Sequence, residues 1–128
     1  MAVVVSEGIW LADSNAGATS DTQLRETEVP KGTTQVIRGI TVAAKGQSEV
    51  WLKVTTDGGT TWEEKVHLLL PAEGSLDLRF SVPLEIRGQS NFTPGEGETI
   101  LTKWQLWFVQ PTAQPIWTTI YLTRFTYA

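Results

Sequence analysis

The stretch Leu76-Asp77-Leu78-Arg79-Phe80-Ser81-Val82 has an apolar side chain at every second position and a polar one between. Side chains on a β-strand point alternately to the two faces of a sheet, so this period predicts a strand with one face toward a core. The side chains predicted to face inward are Leu76, Leu78, Phe80 and Val82. A helix would need apolar residues three or four positions apart, and no such stripe is convincing anywhere in the chain.

The same alternation recurs on both sides of this stretch. Residues 48–56 and 62–70 each place aliphatic side chains on one face, and residues 34–43 and 117–127 add runs rich in β-branched and aromatic side chains. Residues 103–109 are apolar on both faces, which predicts a strand in the middle of a sheet. Clusters of glycine and proline separate the runs, as turns do in antiparallel sheets.

These runs predict a single antiparallel β-sandwich or jelly-roll-like domain that spans residues 1–128. With two further short strands, near Val3–Trp10 and around Leu84–Ile86, we expect about seven to nine strands. Residues 12–29 lack apolar periodicity and contain many small polar side chains, so we predict a loop or extended arm there. Such a long segment is unusual in a compact domain and is often functional. A plain surface loop is the alternative.

The composition limits the classes of partner. The chain has 128 residues, of which 41% are hydrophobic and 19% charged, and its net charge is −4. This composition is typical of a folded soluble domain. The ten basic side chains are scattered, so we expect no nucleic-acid partner. No apolar run is long enough to cross a bilayer, so we also expect no membrane partner.

The sequence contains no evident catalytic constellation, and we expect no enzymatic activity, no cofactor and no metal. Cysteine is absent, which excludes disulfides and thiolate chemistry. Glu63 and Glu64 are adjacent and would point to opposite faces of a strand, so they cannot flank one bond. His67 is the single histidine and has no second ligand in a metal-site spacing. The alternative is a calcium ion bound at Asp13, Asp21 or the 96–98 loop.

The segment 55–62 reads Thr-Thr-Asp-Gly-Gly-Thr-Thr-Trp. It resembles the Asp-box, the Ser/Thr-x-Asp-x-Gly-x-Thr-Trp hairpin of sialidases and several other β proteins. The matching positions are Thr55, Asp57, Gly59, Thr61 and Trp62. A carboxylate in such a turn accepts backbone N–H groups, and glycines there tolerate positive φ. The resemblance implies a structural hairpin and does not imply sialidase activity.

Six tryptophans are many for a chain of this length. Trp51 and Trp107 fall opposite the apolar face of their strands, where an uncovered indole is costly. With Trp117 and Tyr121 they are our candidate interface or ligand residues. Three interpretations remain open: stacking on sugar rings, burial against a neighbouring subunit, and cover by loops of the same chain.

At the level of the whole chain, the run Val29–Val42, followed by Val50–Val54 and Leu68–Leu78, resembles small β-sandwich virion proteins of tailed bacteriophages. The resemblance implies a non-enzymatic virion structural protein, either a capsid decoration protein or a tail, fibre or connector component. Its partners would be other virion proteins and copies of itself in a homo-oligomer. Its location would be the virion, after synthesis in the host cytoplasm. The alternative function is a carbohydrate-binding β-sandwich module with a glycan as partner.

Overall fold

The computed structural model describes residues 4–127, which form ten β-strands and no helix. The strands are β1 (Val4–Asn15), β2 (Thr22–Val29), β3 (Thr33–Ala44), β4 (Ser48–Thr55), β5 (Glu63–Leu70), β6 (Gly74–Arg87), β7 (Ser90–Thr93), β8 (Gly97–Ile100), β9 (Thr102–Val109) and β10 (Ile116–Tyr127). Within this part of the chain, no helix long and apolar enough to span a membrane is found.

Eight of the strands form two four-stranded antiparallel sheets, with the orders β1-β10-β3-β6 and β2-β9-β4-β5. Most connections carry the chain from one sheet to the other, and the β4–β5 hairpin is the exception. This is the arrangement of a jelly roll, in which two sheets face each other and bury their inner side chains. The predicted all-β sandwich is therefore confirmed.

The core lies between the facing sheets. Trp104, Leu106 and Phe108 on β9 are completely buried there. They pack in one cluster with inward side chains from the opposite sheet, such as Ile37 and Ile120. β9 lies between β2 and β4, which confirms the prediction that residues 103–109 form a central strand.

The predicted loop or arm at 12–29 is wrong. β1 continues to Asn15 and pairs with β10 along its whole length, and β2 begins at Thr22. Both are edge strands whose side chains are at least partly exposed over most of their length, so their apolar alternation is weak. The Arg25 guanidinium on β2 lies 2.7 Å from the Asp13 carboxylate on β1 and links the two sheets.

Val82, predicted to face inward, is 82% exposed. Arg79 of β6 pairs with Gly39 of β3, and the next pair is Leu84 with Ile37. Residues 80–83 of β6 therefore stand opposite the single residue Arg38 of β3. The additional β6 residues form a wide bulge, and a bulge changes the direction of the side chains that follow it. Leu84, beyond the bulge, packs against the core again.

Two predicted short strands belong to longer ones. The segment near Val3–Trp10 is part of β1, although Val3 itself lies outside the described residues, and Leu84–Ile86 is the end of β6. The eight sandwich strands fall within the expected number. The β7–β8 hairpin, which connects β6 to β9, is not predicted by the alternation because both strands are short and largely exposed.

Two buried hydrogen-bond groups hold the sandwich together. In the core, the indole N–H of Trp104 donates to Oε1 of Gln35 at 2.7 Å. Near one end of the sandwich, the buried side chain of Gln110 donates to Ser48 Oγ at 2.9 Å and accepts the backbone N–H of Gln114 at 2.9 Å. Buried polar groups without such partners are costly, so these pairs make the inner arrangement specific.

We expect Gln35→Leu to lower the free energy of unfolding by about 1–3 kcal/mol, because it leaves the buried indole N–H of Trp104 without an acceptor. Urea denaturation measures this loss. The matched control is Gln23→Leu at an exposed position, where we expect a change within about 0.5 kcal/mol. Equal effects of the two substitutions would contradict a stabilising role for the buried hydrogen bond.

Candidate functional site

The outer face of the β2-β9-β4-β5 sheet carries two tryptophans side by side. The β4–β9 pairing places Trp51 directly opposite Trp107, and the β4–β5 pairing places Trp51 opposite His67. Both indoles point outward because their strand neighbours occupy the inner face, and both are half-buried. We call this surface the tryptophan face; its residues are Trp51, Trp107, Lys53, His67 and Gln105.

A cation lies over the paired indoles. The Lys53 ammonium is 4.9 Å from the centre of the Trp107 ring and 5.9 Å from that of Trp51. Both distances are within the range of cation–π attraction. The imidazole of His67 meets Trp51 edge-on, with 5.6 Å between the ring centres. The two indoles are therefore held in fixed positions by their neighbours.

Polar side chains surround the aromatic centre of this face. The indole N–H of Trp107 donates to Gln105 Oε1 at 2.8 Å, and the Gln105 amide in turn donates to Glu26 on β2 at 2.8 Å. Half-buried aromatic rings with a hydrogen-bonded polar border are typical of the residues that anchor protein interfaces.

His67 lies between two carboxylates, with its ring nitrogens 3.3 Å from Glu64 and 3.6 Å from Glu49. Among residues 4–127, no group of three or more side chains is placed to hold a metal ion. Asp13, one of the residues considered for calcium, is engaged by Arg25.

The outer face of the other sheet carries a second aromatic group. Trp10 on β1 lies opposite Tyr121 on β10, and their rings meet edge-on with 5.6 Å between centres. The Arg79 guanidinium lies 4.3 Å from the Tyr121 ring centre. The Arg79 side chain reaches Tyr121 by passing over β3 at Gly39. The missing side chain of this glycine leaves room for it, since an added Cβ would come 3.2 Å from Cδ of Arg79. We call this surface the tyrosine face; its residues are Trp10, Arg79, Trp117 and Tyr121.

The four candidate residues thus fall on opposite outer faces of the sandwich. Trp51 and Trp107 belong to the tryptophan face, and Trp117 and Tyr121 to the tyrosine face. Trp10, which is 77% exposed, was not among the candidates. Trp10 joins the tyrosine face because β1 pairs with β10, a strand at the other end of the chain. No local sequence pattern predicts that pairing.

The hairpin between β4 and β5 is joined by its own side chains. Asp57 Oδ1 accepts the Thr55 hydroxyl at 2.8 Å and the Thr61 backbone N–H at 2.9 Å, while the other carboxylate oxygen accepts the Thr61 hydroxyl. The indole N–H of Trp62 donates to the carbonyl of Gly59 at 3.0 Å. Gly59 has a φ of +106°, which a residue with a side chain rarely adopts. The structure therefore places the five Asp-box positions in one network.

The hydroxyl and then the backbone N–H of Thr61, followed by the Thr55 hydroxyl, hold the pKa of Asp57 well below its ordinary value of 3.8. These donors favour the charged carboxylate. The folded protein consequently binds this proton less readily than the unfolded chain does. The ionised Asp57 carboxylate therefore stabilises the folded protein above pH 3.8, and this stabilisation is lost progressively as the pH falls below that value.

We expect Asp57→Ala to lower the melting temperature at pH 7, because the hairpin loses the acceptor for both threonines. The difference from the unchanged protein should narrow as the pH is lowered from 4 to about 2, where the unfolded chain is protonated and the stabilisation fades. Thermal unfolding followed by circular dichroism measures both effects. The control Glu96→Ala, at an exposed turn position, should change neither. A melting temperature unaffected at pH 7 would contradict the role of Asp57.

A cleft of about 470 Å³ opens beside this hairpin, between the ends of the two sheets. Glu63 and Glu85 line it, and each is already paired with a basic residue on its own strand. The Glu63–Lys65 distance is 2.5 Å and the Glu85–Arg87 distance is 2.9 Å. The hydrogen bond from Lys65 lowers the pKa of Glu63. Both glutamate carboxylates that line the cleft are therefore already engaged by cations of their own strands.

No protein-family model matches the chain, and no curated protein is similar to it in sequence. Solved structures are similar in fold. The subunit of the Bacillus endospore appendages, described as disulfide-linked pili, has a TM-score of 0.52 and 11% identity over 98% of this chain and 90% of its own. A Desmodium yellow mottle tymovirus chain has a TM-score of 0.49 and 13% identity, covering 100% of this chain and 89% of its own.

A chain of the naturally empty cowpea mosaic virus particles has a TM-score of 0.43 and 10% identity over 90% of this chain and 84% of its own. These three structures are thus a pilus subunit and chains from two viruses. At these identities the similarity is one of fold. The class, a jelly-roll β-sandwich, follows from the order of the strands in the chain's own two sheets.

Proposed function

We propose that this chain is a non-enzymatic structural subunit that associates with copies of itself and with other proteins of one particle. The particle we propose is the virion of a tailed bacteriophage, where the chain serves as a capsid decoration protein or as a tail, fibre or connector component. The observation that carries the proposal is the presence of aromatic groups on both outer faces of the sandwich.

A two-sheet sandwich needs apolar side chains only on its inner faces. Here Trp10 is 77% and Trp117 45% exposed on the tyrosine face, and Trp51 and Trp107 stand on the opposite side. Aromatic residues of this kind contribute most of the binding energy in protein interfaces. Their exposure is best accounted for by a partner that covers them.

The two aromatic faces point in opposite directions. A binding module for one small ligand needs a single platform, whereas a subunit of a repeating assembly needs contacts on more than one side. Opposite aromatic faces therefore favour assembly over the capture of one ligand.

The fold is compatible with this role. The pilus subunit of similar fold belongs to appendages described as disulfide-linked. The present chain contains no cysteine, so contacts between its copies are non-covalent and rely on packing. The tailed-bacteriophage part of the proposal rests on the resemblance of residues 29–42, 50–54 and 68–78 to virion proteins. Neighbouring genes for capsid and tail proteins would support it.

We expect the purified chain to form oligomers, and we expect Trp51→Ala/Trp107→Ala and Trp10→Ala/Trp117→Ala each to weaken a contact. Truncating an anchoring aromatic residue costs about 2 kcal/mol or more, or roughly thirtyfold in affinity. Sedimentation velocity over a range of concentrations measures the change. The matched control is Phe92→Ala, because Phe92 is 75% exposed on the β7–β8 hairpin and lies outside both faces. A strictly monomeric protein would contradict the proposal.

A glycan-binding module is the second candidate, and the paired indoles beside Gln105 and Glu26 favour it. Sugar-binding sites combine an aromatic platform with polar side chains, but here the Lys53 ammonium already lies over Trp107. We therefore expect no saturable quenching of tryptophan fluorescence when defined oligosaccharides are added. Saturable quenching that is lost in Trp107→Ala would favour the glycan-binding module instead.

A further inference from the structure

Each sheet of the sandwich ends in two edge strands. Within residues 4–127, the outer backbone groups of β1 and β6 in one sheet, and of β2 and β5 in the other, pair with no further strand. An unpaired edge is a template for another strand. Proteins protect such edges with bulges, charged side chains or proline.

Three of the four edges carry this protection. β2 has a register shift between Gln23 and Arg25 and a charged sequence after it. β5 has a register shift beside the charged run 63–65. β6 has the wide bulge described above, and Pro83 within it removes a backbone donor. None of these three edges offers a regular row of donors and acceptors over its full length.

β1 has none of these features. It pairs with β10 from Val4 to Asn15 without a register shift and contains no proline, lysine or arginine. Its two acidic side chains are neutralised within the chain, because Glu7 lies 3.2 Å from Arg124 and Asp13 lies 2.7 Å from Arg25. The β1 edge is therefore long, regular and locally balanced in charge.

We propose that β1 pairs antiparallel with β1 of a second copy of this chain, so that two β1-β10-β3-β6 sheets become one continuous sheet across a twofold axis. The other three edges are protected, so the partner that matches an open β1 is another β1. Such a contact is self-complementary, as a twofold interface requires. The inference rests on the proposed function only in requiring self-association. It uses the backbone edge of β1, which the tyrosine face meets at Trp10 alone.

Charge selects the register of this pairing. Side chains directly opposite each other point to the same face, so one residue of β1 must lie opposite the same residue of the second copy, with the twofold axis midway between the two. The two registers that pair most of the strand place Ile9 or Trp10 on the axis. With Trp10 there, Glu7 would lie opposite Asp13 of the second copy. Although each carboxylate has an arginine partner in its own chain, two carboxylates directly opposite each other still repel and destabilise the pairing. The register with Ile9 on the axis avoids this contact.

The Ile9 register also places the exposed indole of Trp10. In that register Trp10 lies opposite Gly8 of the second copy, where an added Cβ would meet nothing within 4 Å. The indole can then cover the open backbone of the glycine, a pairing that protects edge glycines in sheets. In the same register Ser6 lies opposite Ala12, and both positions are exposed.

Cysteine pairing tests this register, because the chain has no cysteine of its own. When Ser6→Cys chains are mixed with Ala12→Cys chains, the paired Cα atoms lie about 4.5–5.5 Å apart, within reach of a disulfide. In Ser6→Cys alone, the two cysteines are about 20 Å apart along the strands. We expect a disulfide-linked dimer on a non-reducing gel in the mixture only. Ser75→Cys on the protected β6 edge, mixed with either chain, should give none.

A charge exchange tests the same contact without cross-linking. Ser6→Lys/Ala12→Lys opposes lysine to lysine in both symmetric pairs, whereas Ser6→Lys/Ala12→Glu opposes lysine to glutamate. By sedimentation velocity we expect the first variant to lose the dimer and the second to retain it. Both should keep the melting temperature of the unchanged protein within a few degrees, since positions 6 and 12 are exposed.

The outcomes separate the two proposals. No excess cross-linking in the mixture, together with an unchanged dimer in the double-lysine variant, overturns β1 pairing. If association then still depends on the tryptophan or tyrosine face, the proposed function stands without it. A chain that remains monomeric in every variant overturns both.

Discussion

Burial of Trp104, Leu106 and Phe108 on the inner face of β9 is the constraint on which the rest of the structure depends. Because successive side chains of a strand point to opposite faces, burying this set forces Gln105 and Trp107 outward. A slip of one residue would exchange the two sets completely, so the core excludes it. The outward position of Trp107, and of Trp51 opposite it, is therefore a consequence of core packing.

The same constraint explains which strands the sequence predicts. Where one face is buried and the other only partly so, as in β4, alternation is a strong signal and the strand is predicted correctly. The signal is weak at the sheet edges, and there residues 12–29 were wrongly predicted to form a loop or arm. It also fails at Val82, because a bulge is set by the pairing of β6 with β3 and leaves no mark in local periodicity.

The candidate sites also differ in how far the sequence alone predicts them. The contacts of Asp57 reach no more than four residues along the chain, so a local motif is enough to predict them. On the tyrosine face, Trp10, Arg79 and Tyr121 come from three different strands, and Arg79 reaches Tyr121 across Gly39 of a fourth. Nothing in any one of those segments shows that Arg79 crosses Gly39 to reach Tyr121, since that contact exists only once the strands are paired.

The aromatic faces and the β1 edge would contact partners from different directions. The faces point away from the sheets, whereas the edge lies in the plane of one sheet. A twofold axis perpendicular to that sheet keeps the tyrosine faces of both copies on the same side, with each Trp10 next to the axis. Pairing of β1 would thus join two tyrosine faces into one apolar surface. A standard interface covers about 800 Å² on each partner, more than a single aromatic group provides. Edge pairing would therefore help to build the surface that the next partner binds.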